Sequence, residues 1–255
     1  MDTNVLSAHM LDMARECRDN YAITSSAFLD LSEQSTVAVS LNKVNEKYTF
    51  FGGYDDAERR ICVFSPDYID DVSSYFSQFQ DECPIEILRC SYKKGAVAPT
   101  HRDYLGSLLA LGVKRESIGD ILVYDGGADI LILKRSSDFF LVEYKSAGRT
   151  MLDTKIVPLC DMRLPNIEIV RERITVASPR LDCIVAEIFS LSREKASEAI
   201  KSGIVFVNSQ KAQKTDAHIA QNSKIVLRGK GKAIIKEICG ETRRGRLTIM
   251  IDRFK

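Results

Sequence analysis

The chain is poor in the features that announce catalysis, a metal or a membrane. No apolar run approaches the roughly 18 residues that would span a bilayer, and the N-terminus, MDTNVLSAHMLDMA, has acids where a signal peptide needs basic residues. The seven cysteines (Cys17, Cys62, Cys83, Cys90, Cys160, Cys183, Cys239) are odd in number, scattered, and free of any CxxC or Cys/His cluster. That spacing excludes a zinc clamp of the usual kind, so they read as small buried apolar residues in a reducing compartment. Only three histidines occur (His9, His101, His218), far apart and without a partner cysteine or paired carboxylates, which leaves no triad or metal site. No GxGxxG follows a strand, and GKGK (residues 229–232) lacks the second glycine spacing and terminal Ser/Thr of a P-loop. The expectation is a soluble cytoplasmic protein with no catalytic residues, no metal, no cofactor and no membrane partner.

What is present begins with size and charge. The 255 residues, 45% apolar, suit one large domain or two to three small ones. Lys plus Arg (36) and Asp plus Glu (35) almost cancel. The balance hides a split, because residues 171–255 carry a net +9 and residues 1–170 a net −8. A basic module therefore follows an acidic body.

Periodicity orders the rest. Leu6, Met10, Met13, Ala14 and Cys17 form one apolar helical stripe, and YTFFGGY and AERRICVFSP add β-forming segments around a Gly-Gly turn. Residues 1–82 read as a small acidic α/β domain, in which Arg59 and Arg60 beside the glycines are placed for a local phosphate contact. Six elements follow: IEILRCSY (strand), THRDYLGSLLALG (helix), IGDILVYD and ADILILK (strands), SSDFFLVEYKSAG (helix) and TKIVPL (strand). This β-α-β-β-α-β order over residues 83–165 predicts a ferredoxin-like middle domain, with DGGAD (125–129) as its hairpin turn and Gly112 and Gly148 closing its helices. LCDMRLPN (159–166) reads as the linker to a basic domain over residues 175–255. The fold class expected is α+β and multidomain.

In the basic domain, Ser178 and Pro179 are expected as the N-cap and first residue of a helix carrying Leu181, Ile184, Val185, Ile188 and Phe189 inward. Ser192 opens a second helix, with Ala196, Ala199 and Ile200 inward and Gly203 closing it. Arg193, Ser197 and Lys201 then share one outer stripe flanked by Arg180 and Lys195. Lys211, Lys214, Arg228, Lys230, Lys232, Arg243, Arg244 and Arg246 sit in the strands and turns that follow. Cations on a rigid scaffold with few aromatics (Phe189, Phe206, Phe254) suit phosphate and shape contacts with folded RNA better than base stacking.

PRLDCIVAEIFSLSREKASEAIKSGIVFVN (179–208) resembles the RNA-binding domain named after ribosomal protein S-four, with its Arg-Leu-Asp start, Ser-Arg second-helix start and Val-x-Val-Asn ending. FFGGYDDAERR (50–60) and HRDYLGSLLALGVKRESIGDILV (101–123) resemble the bacterial YlmH family, over nearly the whole chain. The resemblance implies binding of ribosomal and transfer RNA on the large ribosomal subunit, quality control of stalled translation, and association with cell-division gene clusters. It implies RNA contact at Arg180, Ser192, Arg193, Lys195 and Lys201, with Asn208 in the turn after the strand. Asp182 reads as a helix-start residue that orients Arg180.

HRD (101–103) resembles a kinase catalytic loop, but Leu108 stands where a metal-binding Asn is needed, and no DFG follows. His101 and Arg102, with Lys114 and Arg115, are as readily plain surface as RNA contact. The expectation is a non-enzymatic, ribosome-associated, monomeric RNA-binding protein. The alternatives are an RNA-modifying enzyme, either pseudouridine synthase-like or methyltransferase-like, and a cell-division adaptor. Arg180-Leu181-Asp182 continues as Cys-Ile-Val-Ala, which is helix core rather than a synthase context, and a glycine-rich methyltransferase loop is absent.

Overall fold

The computed structural model describes residues 3–165, 168–242 and 245–254, so Arg243, Arg244 and the expected linker end at Asn166 lie outside the described residues. It is a mixed α/β protein in which the chain divides into two compact units, Met1–Asn166 and Ile167–Lys255.

The first unit opens with α1 (Thr3–Asn20), β1 (Thr24–Ser25), α2 (Leu31–Lys43), β2 (Thr49–Phe51), β3 (Ile61–Phe64) and α3 (Val72–Gln78). The α1 stripe buries Leu6, Met10, Ala14 and Cys17 against Val37 and Leu41 of α2, whose start is fixed by a capping box between Asp30 and Glu33. In the antiparallel sheet β1-β3-β2, the central strand ICVF is buried at every position. Its Cys62 and Phe64 meet the helices, while Ile61 and Val63 face the next layer. An uninterrupted apolar run is what a strand covered on both sides requires.

That next layer is the antiparallel sheet of β4 (Ile85–Ser91), β5 (Ile118–Tyr124), β6 (Gly127–Leu133) and β9 (Asp153–Val157), in the order β5-β6-β4-β9. One face packs Leu88, Cys90, Ala128, Ile130 and Ile132 against α4 (His101–Ala110) and α5 (Ser137–Glu143). The other packs Ile85, Leu131 and Leu133 against Phe28, Phe51 and Phe76, so that the first 82 residues and the sheet share one core. A Cβ at Gly127 would come within 2.1 Å of the Cys90 carbonyl oxygen, so only glycine lets β6 lie this close to β4.

Two elements differ from expectation here. The helix α5 stops at Glu143, and β7 (Ser146–Ala147) and β8 (Thr150–Met151) form a small ladder that turns at Gly148 (φ 58°). Tyr144 leaves the helix to be buried, its hydroxyl donating to the Tyr104 carbonyl at 3.1 Å. The Thr150 hydroxyl donates to the Val97 carbonyl and holds the ladder in place. Asp129, where the expected turn and strand overlap, lies inside β6 and is fully buried. Arg89 reaches it with both Nε (2.8 Å) and Nη2 (2.7 Å), and the Tyr124 hydroxyl and Arg163 N–H also donate to it. Arg89 donates further to the Asp161 carbonyl at 2.6 Å. Residues 159–163, expected as linker, are thus tied to the sheet.

The second unit consists of β10 (Ile169–Val176), α6 (Leu181–Ile188), α7 (Arg193–Lys201), β11 (Val205–Val207), β12 (Gln210–Lys211), β13 (Lys224–Leu227), β14 (Gly231–Glu241) and β15 (Leu247–Phe254). All strands join one antiparallel sheet in the order β10-β15-β14-β13-β11-β12. Its inner face (Ile174, Val205, Ile225, Leu227, Ala233, Ile235, Ile249, Ile251) receives Leu181, Ile184, Ile188, Ala196 and Ile200 from the two helices. Burying each of the valine, leucine and isoleucine side chains among them contributes about 1.5–3 kcal/mol. The first helix starts later than Ser178-Pro179 suggests. Pro179 accepts the Ile219 N–H on its carbonyl, Arg180 is the extended N-cap residue, and Leu181 is the first helical residue.

The cysteines also divide. Cys17, Cys62, Cys83 and Cys90 are buried and Cys183 is half-buried, but Cys160 and Cys239 are exposed.

Replacing Asp129 with Ala leaves the Arg89 guanidinium buried without its counter-charge, and urea denaturation should register a loss of about 3–5 kcal/mol. A loss under about 1 kcal/mol would refute the importance of this network.

Candidate nucleic-acid interface

The organising group of the second unit is the Asp182 carboxylate, whose side chain is 4% exposed in the first turn of α6. The loop 215–219 fixes that turn, since the Leu181 and Asp182 N–H groups donate to the carbonyls of Ala217 and Thr215. Arg180 approaches Asp182 with Nε (3.1 Å) and Nη2 (3.0 Å), Arg193 with Nε (3.0 Å), and the Cys183 N–H donates at 2.9 Å. Burial alone would raise the Asp182 pKa, but these bonds outweigh it and bring it down to about 2. The two arginine side chains still keep 37% and 59% of their surface in water. A guanidinium has five N–H donors, so each has donors left over for a phosphate. The carboxylate thus aims two cations outward.

Ser192 is the N-cap of α7, its hydroxyl accepting the Lys195 N–H at 3.2 Å. Arg193, Lys195 and Lys201 are exposed along that helix. Gly203 (φ 74°) follows the helix, and the Lys211 side chain crosses it so closely that a Cβ there would meet Lys211 Cε at 1.9 Å. Asn208 and Ser209, both left-handed, make the turn between β11 and β12, and Asn208 Oδ1 accepts the Lys224 N–H at 2.8 Å. Lys214, Arg228 and Lys230 are exposed in the loops that follow. Lys232 lies in β14 with its Nζ 4.6 Å from the centre of the Phe254 ring. The expected cations therefore fall into two groups, one around α6 and α7 and one on the strands and turns.

The first unit holds the remaining candidates. His101 and Arg102 are exposed at the start of α4, behind a capping box between Thr100 and Asp103. Desolvation, and then the Arg115 charge, hold the His101 imidazole below its ordinary pKa. Arg115 donates to the carbonyls of Ile118 and Gly119, and burial followed by the neighbouring Arg59 brings its pKa down to about 10. Lys114 is exposed and pairs with Glu116 at 3.8 Å. Arg59 donates to the carbonyls of Ile118 and Phe28, and Arg60 to those of Ala57 and Asp55. Asp120 draws these segments together, accepting from the Tyr54 hydroxyl and the N–H groups of Glu58 and Arg59. Arg59, Arg60 and Arg115 thus engage backbone carbonyls within the fold.

The sequence reading missed Arg171, Arg173 and Lys236, which face outward from the sheet. The alternation in IVRERITV, with Arg171 and Arg173 two apart and Ile174 and Val176 in the opposite phase, was the available signal. Among the described residues no group of His, Cys, Asp and Glu could hold a metal ion, and no helix is long and apolar enough to cross a membrane.

Known proteins offer three points of comparison. Residues 79–161 match the family model described as "Putative RNA-binding domain in YlmH". The ribosome-associated protein quality control protein P2 of Bacillus subtilis is 26% identical over 245 residues, spanning 96% of this chain and 93% of that protein. The solved structure of the cell division protein ylmH from Streptococcus pneumoniae, 20% identical, covers 63% of this chain and 94% of that one with a TM-score of 0.48.

Asp182 is more acidic when folded than in the unfolded chain, so its contribution is complete above pH about 4 and disappears as pH falls from there toward 2. The shift corresponds to about 2 kcal/mol at neutral pH. Acid unfolding of Asp182→Asn, followed by circular dichroism, should lack that part of the pH dependence; an acid limb unchanged from the parent would show that the two arginines do not hold the carboxylate.

Proposed function

We propose that this chain, which carries the YlmH RNA-binding domain at residues 79–161, is a non-enzymatic, ribosome-associated RNA-binding protein that holds structured ribosomal and transfer RNA on the large subunit during quality control of stalled translation. The observation that carries the reading is the pair of outward guanidiniums, Arg180 and Arg193, fixed by buried Asp182 beside the exposed Lys195 and Lys201. Fixed cations on a rigid scaffold bind a phosphate backbone without the entropy of ordering long side chains, and each neutralised phosphate releases counterions. In this reading the second unit is an S-four-like RNA clamp. The β5-β6-β4-β9 sheet with α4 and α5 is a ferredoxin-like module that orients it, and the protein acts as a cytoplasmic monomer.

The engagement of Asp182 favours this reading over a pseudouridine synthase. A carboxylate gripped by two arginines and a backbone N–H, with its pKa near 2, is a poor nucleophile and is shielded from substrate. Incubation with ribosomal RNA followed by a scan for modified bases tests the point, and any turnover refutes the non-enzymatic assignment.

Replacing Arg193 and Lys201 together with Ala removes one of the two arginines that hold Asp182, so the melting temperature should fall modestly while the folded circular dichroism spectrum is kept. The double replacement should weaken binding to ribosomal RNA and lower the slope of log affinity on log salt by about 0.9 for each duplex phosphate no longer neutralised. An unaltered slope would remove the helical cations from the interface.

A further inference from the structure

The sheet of the second unit has a second face. Its inner residues pack on α6 and α7, and the alternate residues point the other way: Arg171 and Arg173 on β10, Met250, Asp252 and Phe254 on β15, Lys232, Ile234 and Lys236 on β14, and Lys224 on β13. Cross-strand register places Lys224, Ile234, Asp252 and Arg171 in one row across four strands. Among the described residues this face carries Arg171, Arg173, Lys224, Lys232 and Lys236, and cross-strand register sets Asp252 and Glu237 among them.

The face repeats the arrangement around Asp182. Asp252, 9% exposed, accepts Arg171 Nε at 2.8 Å and Nη2 at 3.1 Å, with Lys236 Nζ at 3.7 Å, while Arg171 and Lys236 remain 64% and 41% exposed. Once again one buried carboxylate holds two cations outward, and the Arg171 fork has donors to spare. Between the cations lie the half-buried apolar side chains of Met250, Ile234 and Phe254, the last beneath Lys232. A cationic sheet face with an apolar floor matches a polyphosphate backbone whose sugars and bases rest on the surface.

We propose that this sheet face is a second RNA-binding surface, on the side opposite the helices, so that the second unit can hold two RNA segments at once. The inference rests on the reading of the helical cations as one RNA site and adds another that uses Arg171, Arg173, Lys224 and Lys236. Charge complementarity selects RNA as the occupant, since the exposed Arg171, Arg173 and Lys236, spaced along β10 and β14, favour a repeating anion.

The full-length protein is titrated with an RNA duplex of about 12 base pairs, short enough that one molecule covers one face, and stoichiometry is read by native mass spectrometry. The expected result is two duplexes per parent protein. Arg173→Ala/Lys224→Ala/Lys236→Ala should retain one and show a salt slope lower by about 2 to 3. Arg193→Ala/Lys201→Ala should retain the other. The charge-preserving Arg173→Lys/Lys236→Arg should restore two, which separates removal of charge from misfolding. A parent that binds a single duplex, or a sheet-face variant that still binds two, overturns the second site while leaving the helical site standing. If the helix variant also keeps the parent's stoichiometry and slope, the reading of the helices fails as well. Displacement of the sheet-face duplex by polyglutamate at equal charge concentration would assign that face to an acidic protein and overturn the inference.

Discussion

A carboxylate taken out of water must bring cations with it, and this constraint shapes the second unit on both sides of its sheet. Asp182 at the start of α6 and Asp252 in β15 are each nearly buried, and each is compensated by two basic side chains whose remaining surface stays in solvent. Desolvation of the acid is offset only while those cations stay in place. The same bonds that keep the acids stable therefore fix where the positive charge is presented. Stability and the presentation of positive charge are set by one group of contacts rather than by two competing ones.

The first unit solves a similar problem differently. Arg89 and Asp129 are both buried, so their charges face no solvent and serve only to join the sheet to residues 161 and 163. Arg59 and Arg115 likewise donate to backbone carbonyls, and Asp120 gathers the backbone around them. The acidic unit thus uses its central arginines to hold loops in place, while the basic unit presents its own to solvent. This difference, more than net charge, separates the arginines that tie the fold together from those held out to solvent in this chain.

Much of this was legible in the sequence. The α1 stripe, the β-α-β-β-α-β order and the two helices after Arg180 rest on local periodicity, which depends on one element at a time. Ser192 and Gly203 could be placed because capping chemistry is also local. What escaped was non-local. The start of α6 moved past Ser178 because the loop at 215–219 takes the backbone groups that a helix would have used. Asp129 reads as a solvated acid at the edge of a turn until Arg89, forty positions away, lies beside it. Arg171, Arg173 and Lys236 look like solvated charges until β10 pairs with β15 and the sheet gains a second side. Partners distant in sequence but adjacent across a sheet leave no spacing to detect.

The distribution of thiols has a practical corollary. Cys160 in the first unit and Cys239 in the second are the exposed ones, and the rest are buried or half-buried. Maleimide dyes on these two positions would make a fluorescence donor and acceptor pair bridging the halves of the molecule. Energy transfer between them would measure the separation of the two units in solution, with and without RNA, and needs no engineered attachment point.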